Sequence, residues 1–144
     1  MNEEKYLENA KVIIDNATSY AAYLSQYNAL FCVIKKAYIR KEDFEQLFNA
    51  MAEEAKIQGA EKIIFDKRNM KVFDQPSMTW YHVVFKEDLL ASIGLKKYRK
   101  LLPEDNLFRM SVEIGRGKIA REHNFDYDKY DIQYCESVEE ALTN

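Results

Sequence analysis

Short apolar runs alternate with polar punctuation along the chain, and their period changes as it proceeds. Lys11–Asp15 (KVIID), Tyr20–Leu24 (YAAYL) and Ala29–Lys35 (ALFCVIK) are brief and rich in β-branched or aromatic residues, which predicts three strands. Asn16–Ser19 and Ser25–Asn28 supply turn chemistry between them, and connections this short favour antiparallel neighbours. From Lys41 the period becomes helical. Phe44, Leu47, Phe48, Met51 and Ala55 make one apolar face over Lys41–Ile57, with Glu42 and Asp43 at the positive end and Gly59 just past the C-terminus. Lys62–Asp66 (KIIFD) carries three consecutive apolar residues and reads as a central strand buried on both faces.

A second helix is predicted over Ser77–Ser92, started by Pro76, with Trp80, Val83, Val84 and Leu90 facing inward. Lys97–Leu102 (KYRKLL) follows as a strand that Pro103 stops. A third helix spans Asn106–Glu122, with Phe108, Val112, Gly115 and Ile119 on one face. The last unit is a strand at Asp131–Cys135 and a short helix, Val138–Leu142, capped by Ser137. The order β-β-β-α-β-α-β-α-β-α predicts an α/β fold with a mixed sheet: an opening meander, then parallel strands joined by right-handed crossovers. A length of 144 residues with two prolines and four glycines fits one domain across 1–144 and leaves no flexible linker.

Composition narrows the partners. The net charge of −3 draws in neither nucleic acid nor a membrane surface. The charge is unevenly placed, however. Lys96, Lys97, Arg99, Lys100, Arg109, Arg116, Lys118 and Arg121 face only Glu104, Asp105 and Glu113, and the stretch from Glu122 onward is acidic. Such runs form solvated faces; the alternative is a basic patch for an anionic partner. The acidic, mixed N-terminus is neither a signal nor a transit peptide, and no apolar run spans a membrane. Cys32 and Cys135 stand alone in apolar segments, as buried thiols of a reducing compartment do, so a cytoplasmic location is expected.

Several segments together carry a family resemblance. KIIFDKRNM from Lys62, QPSMTW from Gln75, IGLKKYRKLLPED from Ile93, MSVE from Met110 and the closing SVEEAL from Ser137 are, in this order, similar to segments of small bacterial proteins. The chain resembles these STAS-like proteins of the SpoIIAA-like fold from about Lys11 onward. The resemblance implies a regulatory domain that binds another protein or a copy of itself, often as a homodimer. The anti-anti-sigma branch of that family carries a phosphorylatable serine in the loop that opens the helix after the central strand. Here that loop reads Asp74-Gln75-Pro76-Ser77: the modified position falls on Pro76, with Ser77 one place along, which argues against that control.

Candidate chemistry is sparse. Asp66 and Arg68 end the central strand, where open α/β sheets place their ligands, and either bind a polar ligand or order the strand-to-helix turn. Asp74, Ser77, Trp80 and Tyr81 are the expected contact surface, Trp80 serving as core or interface anchor. His82 and His123 lack metal-ligand spacing, and His82 is expected at a helix surface or boundary. Gly115-Arg116-Gly117 lies inside a helix and indicates close backbone packing, with an anion held at Arg116 as the alternative. No serine elbow, activated cysteine or convergent carboxylate pair stands out. The expectation is a noncatalytic regulatory or scaffold domain, with neither metal nor cofactor. Its alternative is a small-molecule or lipid-binding domain using the crevice near Asp66, Arg68 and Pro103–Asn106.

Overall fold

A computed structural model describes residues 5–144. A six-stranded sheet runs in the order β1-β2-β3-β4-β5-β6, so each strand lies beside its sequence neighbours. β1 (Lys11–Asp15), β2 (Ser19–Leu24) and β3 (Ala29–Ile34) pair antiparallel. β4 (Lys62–Asp66), β5 (Lys97–Leu101) and β6 (Asp131–Tyr134) add in parallel. The mixed α/β architecture is therefore as expected. The change of direction follows connection length. The β1–β2 turn is closed by Asn16 Oδ1, which accepts from the N–H groups of Thr18 and Ser19, each at 2.9 Å. Parallel pairing needs the longer crossovers that the helices provide.

Each crossover steps one place in the same direction, so their helices share one face of the sheet. These are α1 (Lys41–Gln58), α2 (Gln75–Trp80), a π-helical turn (Tyr81–Lys86), α3 (Glu87–Ile93) and α4 (Asn106–His123). α5 (Val138–Thr143) and a 3₁₀ turn at Lys5–Leu7 cover the opposite face. Strand side chains alternate accordingly: Leu30, Cys32, Ile63, Phe65 and Tyr98 pack toward α1–α4, and Ala29, Phe31, Ile64 and Leu101 toward α5.

The second helix departs from the sequence expectation. It is broken by the π-helical turn, and its inward side chains are Met78, Tyr81, Phe85 and Leu89. Val84, expected inside, is 50% exposed, while Trp80, Val83 and Leu90 are only partly buried. His82, expected at a surface or boundary, is 1% exposed and Lys86 is fully buried. A π turn lengthens the hydrogen-bonded ring and admits an extra residue, which rotates the side chains around it. Apolar periodicity assumes uniform α winding and does not register that rotation.

Buried cations also lie on the α5 face, and there they find oxygen partners within the chain. Lys62 Nζ donates to the carbonyls of Ala141 at 2.8 Å and Leu142 at 2.9 Å. Arg99 donates to the Asp131 carbonyl at 2.8 Å and to its carboxylate at 3.1 Å. The Lys62 bonds fasten α5 to β4, and the Arg99 bonds tie β5 to the start of β6.

Gly115 lies where α4 crosses α2: a Cβ there would come within 2.9 Å of Gln75 Oε1 and Met78 Sδ. At Gly117 the nearest approach is 3.4 Å, to the mobile tip of Arg121. Gly117→Ala should therefore gain helix stability, about 0.5–1 kcal/mol. Gly115→Ala should lose about 1–2 kcal/mol, because overpacking against the buried Met78 outweighs that gain. Urea denaturation midpoints of the two variants check the opposite signs.

Candidate anion-binding site

The carboxyl ends of the parallel strands define where this sheet can offer side chains to a ligand. At the end of β4, Asp66 is buried and grips Arg68 as a fork, Nε to Oδ1 at 3.0 Å and Nη2 to Oδ2 at 2.9 Å. The Arg68 N–H also donates to Oδ1 at 3.0 Å, so the pair orders the turn leaving the strand. Arg68 borders a crevice of about 330 Å³ with Pro103, Glu104, Arg109, Tyr134 and Glu136. Asp74 caps α2, accepting from the Ser77 N–H at 3.0 Å and the Ser77 hydroxyl at 2.9 Å. Ser77 and Tyr81 are fully buried, so neither is presented to a partner. Trp80 lines an open groove with Pro76, Val83 and Val84, facing Lys118 of α4. The six residues singled out from sequence thus divide among a strand-end turn, a helix cap, a surface groove and the core.

A second constellation lies beneath these features, between the sheet and the helices. The strand register aligns Cys32, Phe65, Lys100 and Tyr134 in one row across β3, β4, β5 and β6. Phe65 fixes the row's direction toward α1–α4, so Lys100 projects into that layer and is 1% exposed. Lys67 continues β4 by donating its N–H to the Leu101 carbonyl at 2.8 Å, and is also 1% exposed. The π-helical turn brings in His82 and Lys86 from above. α4 contributes Arg116, which donates to the Tyr134 hydroxyl at 2.9 Å and lies over the Tyr127 ring at 4.3 Å.

Aromatic rings surround these cations. Lys67 Nζ sits 4.8 Å from the Phe65 centroid and 5.0 Å from that of Phe73. Lys86 Nζ lies 4.8 Å from Tyr81, 4.5 Å from Tyr98 and 5.6 Å from Tyr130. Lys100 Nζ is 5.7 Å from Tyr134. Among the described residues, no ion pair involves Lys67, Lys86, Lys100 or Arg116. Glu87, beside Tyr130, is already engaged by that hydroxyl and by Lys129 at 3.0 Å. Buried polar atoms without a partner are Tyr81 Oη, His82 Nδ1, Lys86 Nζ, Tyr98 Oη, Lys100 Nζ and Arg116 Nε, all of this cluster, plus Arg99 Nε on the α5 face. Their concentration in one place makes this cluster the candidate site.

The electrostatics are unfavourable as they stand. Burial pushes the Lys67 ammonium down to about 7, with Arg116 adding to the effect. Burial lowers Lys86 and Lys100 well below the ordinary lysine range, and neighbouring cations reinforce it. His82 is held well below its usual value by burial and then by Lys86 and Lys100, so it is neutral at pH 7. A buried ion loses several kcal/mol of hydration, whereas a desolvated cation–π contact returns about 2 kcal/mol. The rings alone do not compensate. Either the amines shed protons or an anion supplies the missing charge. Tyr134, 51% exposed, separates this cluster from the strand-end crevice. Beyond Arg116 and Tyr127 a second depression of about 360 Å³ opens to solvent.

The sequence did contain a signal for this site. Lys100 shares the strand phase of Tyr98, and Lys86 follows His82 by one helical turn beside Phe85. Polar residues in the inward phase are the mark; reading the charged stretch as solvated surface concealed Lys100. Comparison with protein-family models, curated proteins and solved structures finds no significant match. Among the described residues no group of side chains could hold a metal ion, and no helix is long and apolar enough to cross a membrane.

The lowered lysines set a pH dependence. Unfolded lysine titrates near 10.4, so above about pH 7 the unfolded chain binds more protons than the folded one. Stability should therefore climb between about pH 7 and 8.5 and be poorest below that window. At higher pH Cys32, whose thiol burial pushes up, offsets the gain because only the unfolded thiol ionises. Calorimetry of the ligand-free protein should show a rising midpoint from pH 7 to 8.5. Lys86→Met should flatten that rise and raise the midpoint at pH 7.

Proposed function

We propose that this chain is a regulatory domain of the STAS-like kind whose input is a small anion, taken up among Lys67, Lys86, Lys100 and Arg116. It acts by binding, without turnover. The observation that carries this reading is that the buried Lys86 and Lys100 ammoniums and the buried Nε of Arg116 have no hydrogen-bond acceptor, and that among the described residues no ion pair reaches them or the buried Lys67. An anion supplies both the charge and the acceptor atoms that the interior lacks. On the α5 face, Lys62 and Arg99 have oxygen partners within the chain; the cluster requires its oxygens from outside. A π-helical turn that carries two of the polar groups inward supports the same reading, since such turns concentrate at functional sites.

The expected result is direct. At pH 7, a saturating small polyanion should raise the unfolding midpoint by about 5–10 °C, the shift that ligand at roughly a hundredfold over its Kd gives a domain this size. Sodium chloride at matched ionic strength should not. Lys100→Met should abolish the shift without lowering the midpoint of the ligand-free protein. Failure of phosphate, pyrophosphate, di- and tricarboxylates alike would reject the reading.

A second reading rests on a different observation. The outer side of the same helical segment exposes Pro76, Trp80, Val83 and Val84 along an apolar groove of about 590 Å³. We propose it as the surface for protein contact, self-pairing included, in keeping with Trp enrichment at interfaces. Light scattering should show self-association that Val84→Asp abolishes; a monomer at all concentrations would remove self-pairing.

A further inference from the structure

We propose that α4 pairs antiparallel with α4 of a second copy of this chain, about a two-fold axis at Ser111. This goes beyond the groove reading above, because it places self-pairing on a different face and gives it a register. The outer side of α4 carries Leu107, Met110 and Ile114, which are 75%, 57% and 67% exposed. Spacings of three and four residues align them in one stripe, opposite the buried Phe108, Val112 and Ile119. A single exposed apolar residue is ordinary, whereas a row of three along two turns is a helix face without a partner.

The charges beside the stripe select the occupant. Arg109 and Glu113 each stand two residues from Ser111, on opposite sides of it, and Glu104 and Lys118 each stand seven. All four are exposed, and among the described residues none takes part in an ion pair. Arg109 and Glu113 are one helical turn apart, yet Arg109 turns back and donates from Nε to the Pro103 carbonyl at 2.8 Å.

When two copies of the helix run antiparallel about Ser111, residues equally far from it on either side face each other. Arg109 then meets the partner's Glu113, and Lys118 meets the partner's Glu104, each contact occurring twice. Leu107 comes to lie beside the partner's Ile114, and Met110 beside the partner's Met110. A parallel arrangement would set each charge beside its own copy. Ser111, small and exposed at the axis, lets the two helices approach. A membrane surface is the poorer fit, since Glu104, Asp105 and Glu113 interrupt the basic residues that it would attract.

The test uses the full chain. Light scattering over a concentration series should show a dimer, and Ile114→Asp should make it monomeric without lowering the thermal midpoint, since that side chain is exposed. Glu113→Arg reverses both contacts with Arg109 and should raise the dissociation constant about tenfold; adding Arg109→Glu should recover it. Ser111→Cys should crosslink to its copy through a short bismaleimide. Glu122→Cys should not, because eleven residues from the axis leave its two copies about 33 Å apart along the helices. The crosslinking decides if a charge variant does not fold. A dimer that Val84→Asp separates and Ile114→Asp leaves intact overturns the helix pairing and leaves the groove reading standing. A monomer at all concentrations overturns self-pairing on both surfaces. A monomer that binds phosphatidylglycerol vesicles, and loses them on Ile114→Asp, overturns the pairing and gives the face to a membrane.

Discussion

Positive charge packed where water cannot reach is the constraint around which this fold is arranged. Three buried lysines converge between the sheet and its helices beside the half-buried Arg116; burial lowers the basicity of all three, and Lys67 and Arg116 reinforce it at Lys86 and Lys100. Apolar side chains of similar length in these places would avoid several kcal/mol of lost hydration per ion. Locally unfavourable choices of this kind are expected where binding, rather than stability, sets the residue. The ring of Phe65, Phe73, Tyr81, Tyr98 and Tyr130 is consistent with that view. It tolerates the amines through cation–π contact while leaving their hydrogen-bonding capacity unspent.

The two faces of the sheet show the difference that partners make. Beneath α5, Lys62 and Arg99 are buried too, yet their bonds to the carbonyls of Ala141, Leu142 and Asn144 close within the chain and secure its last helix. Above, the helices supply aromatic surface, and Glu87 is taken by Tyr130 and Lys129. The segment from α2 to α3 faces both ways: His82 and Lys86 turn inward, and Trp80, Val83 and Val84 form the outer groove. One helical segment therefore joins the buried site to an exposed apolar surface, and its π turn is the least regular part of that link.

The architecture was legible because it rests on local rules. Short polar turns make β1–β3 antiparallel, 3.6-residue periodicity marks α1 and α4, and Asp74, Gly59 and Ser137 sit where caps belong. Asp66 with Arg68 was legible as a strand-end pair for the same reason, the two being separated by one residue. The buried site was not. Its members come from a strand end, a strand, a helical turn and a distant helix, and each taken alone passes for a solvated charge.

The sequence by itself therefore determined the element order, the mixed sheet and the strand-end turn, all fixed by interactions between near neighbours in the chain. Only the tertiary structure decided which charges lose their water. Strand register turned Lys100 beneath the helices, the π turn rotated His82 and Lys86 inward, and α4 laid Arg116 against Tyr134. Burial is a property of packing between distant segments, and the cost of a charge depends on burial more than on the residue that carries it.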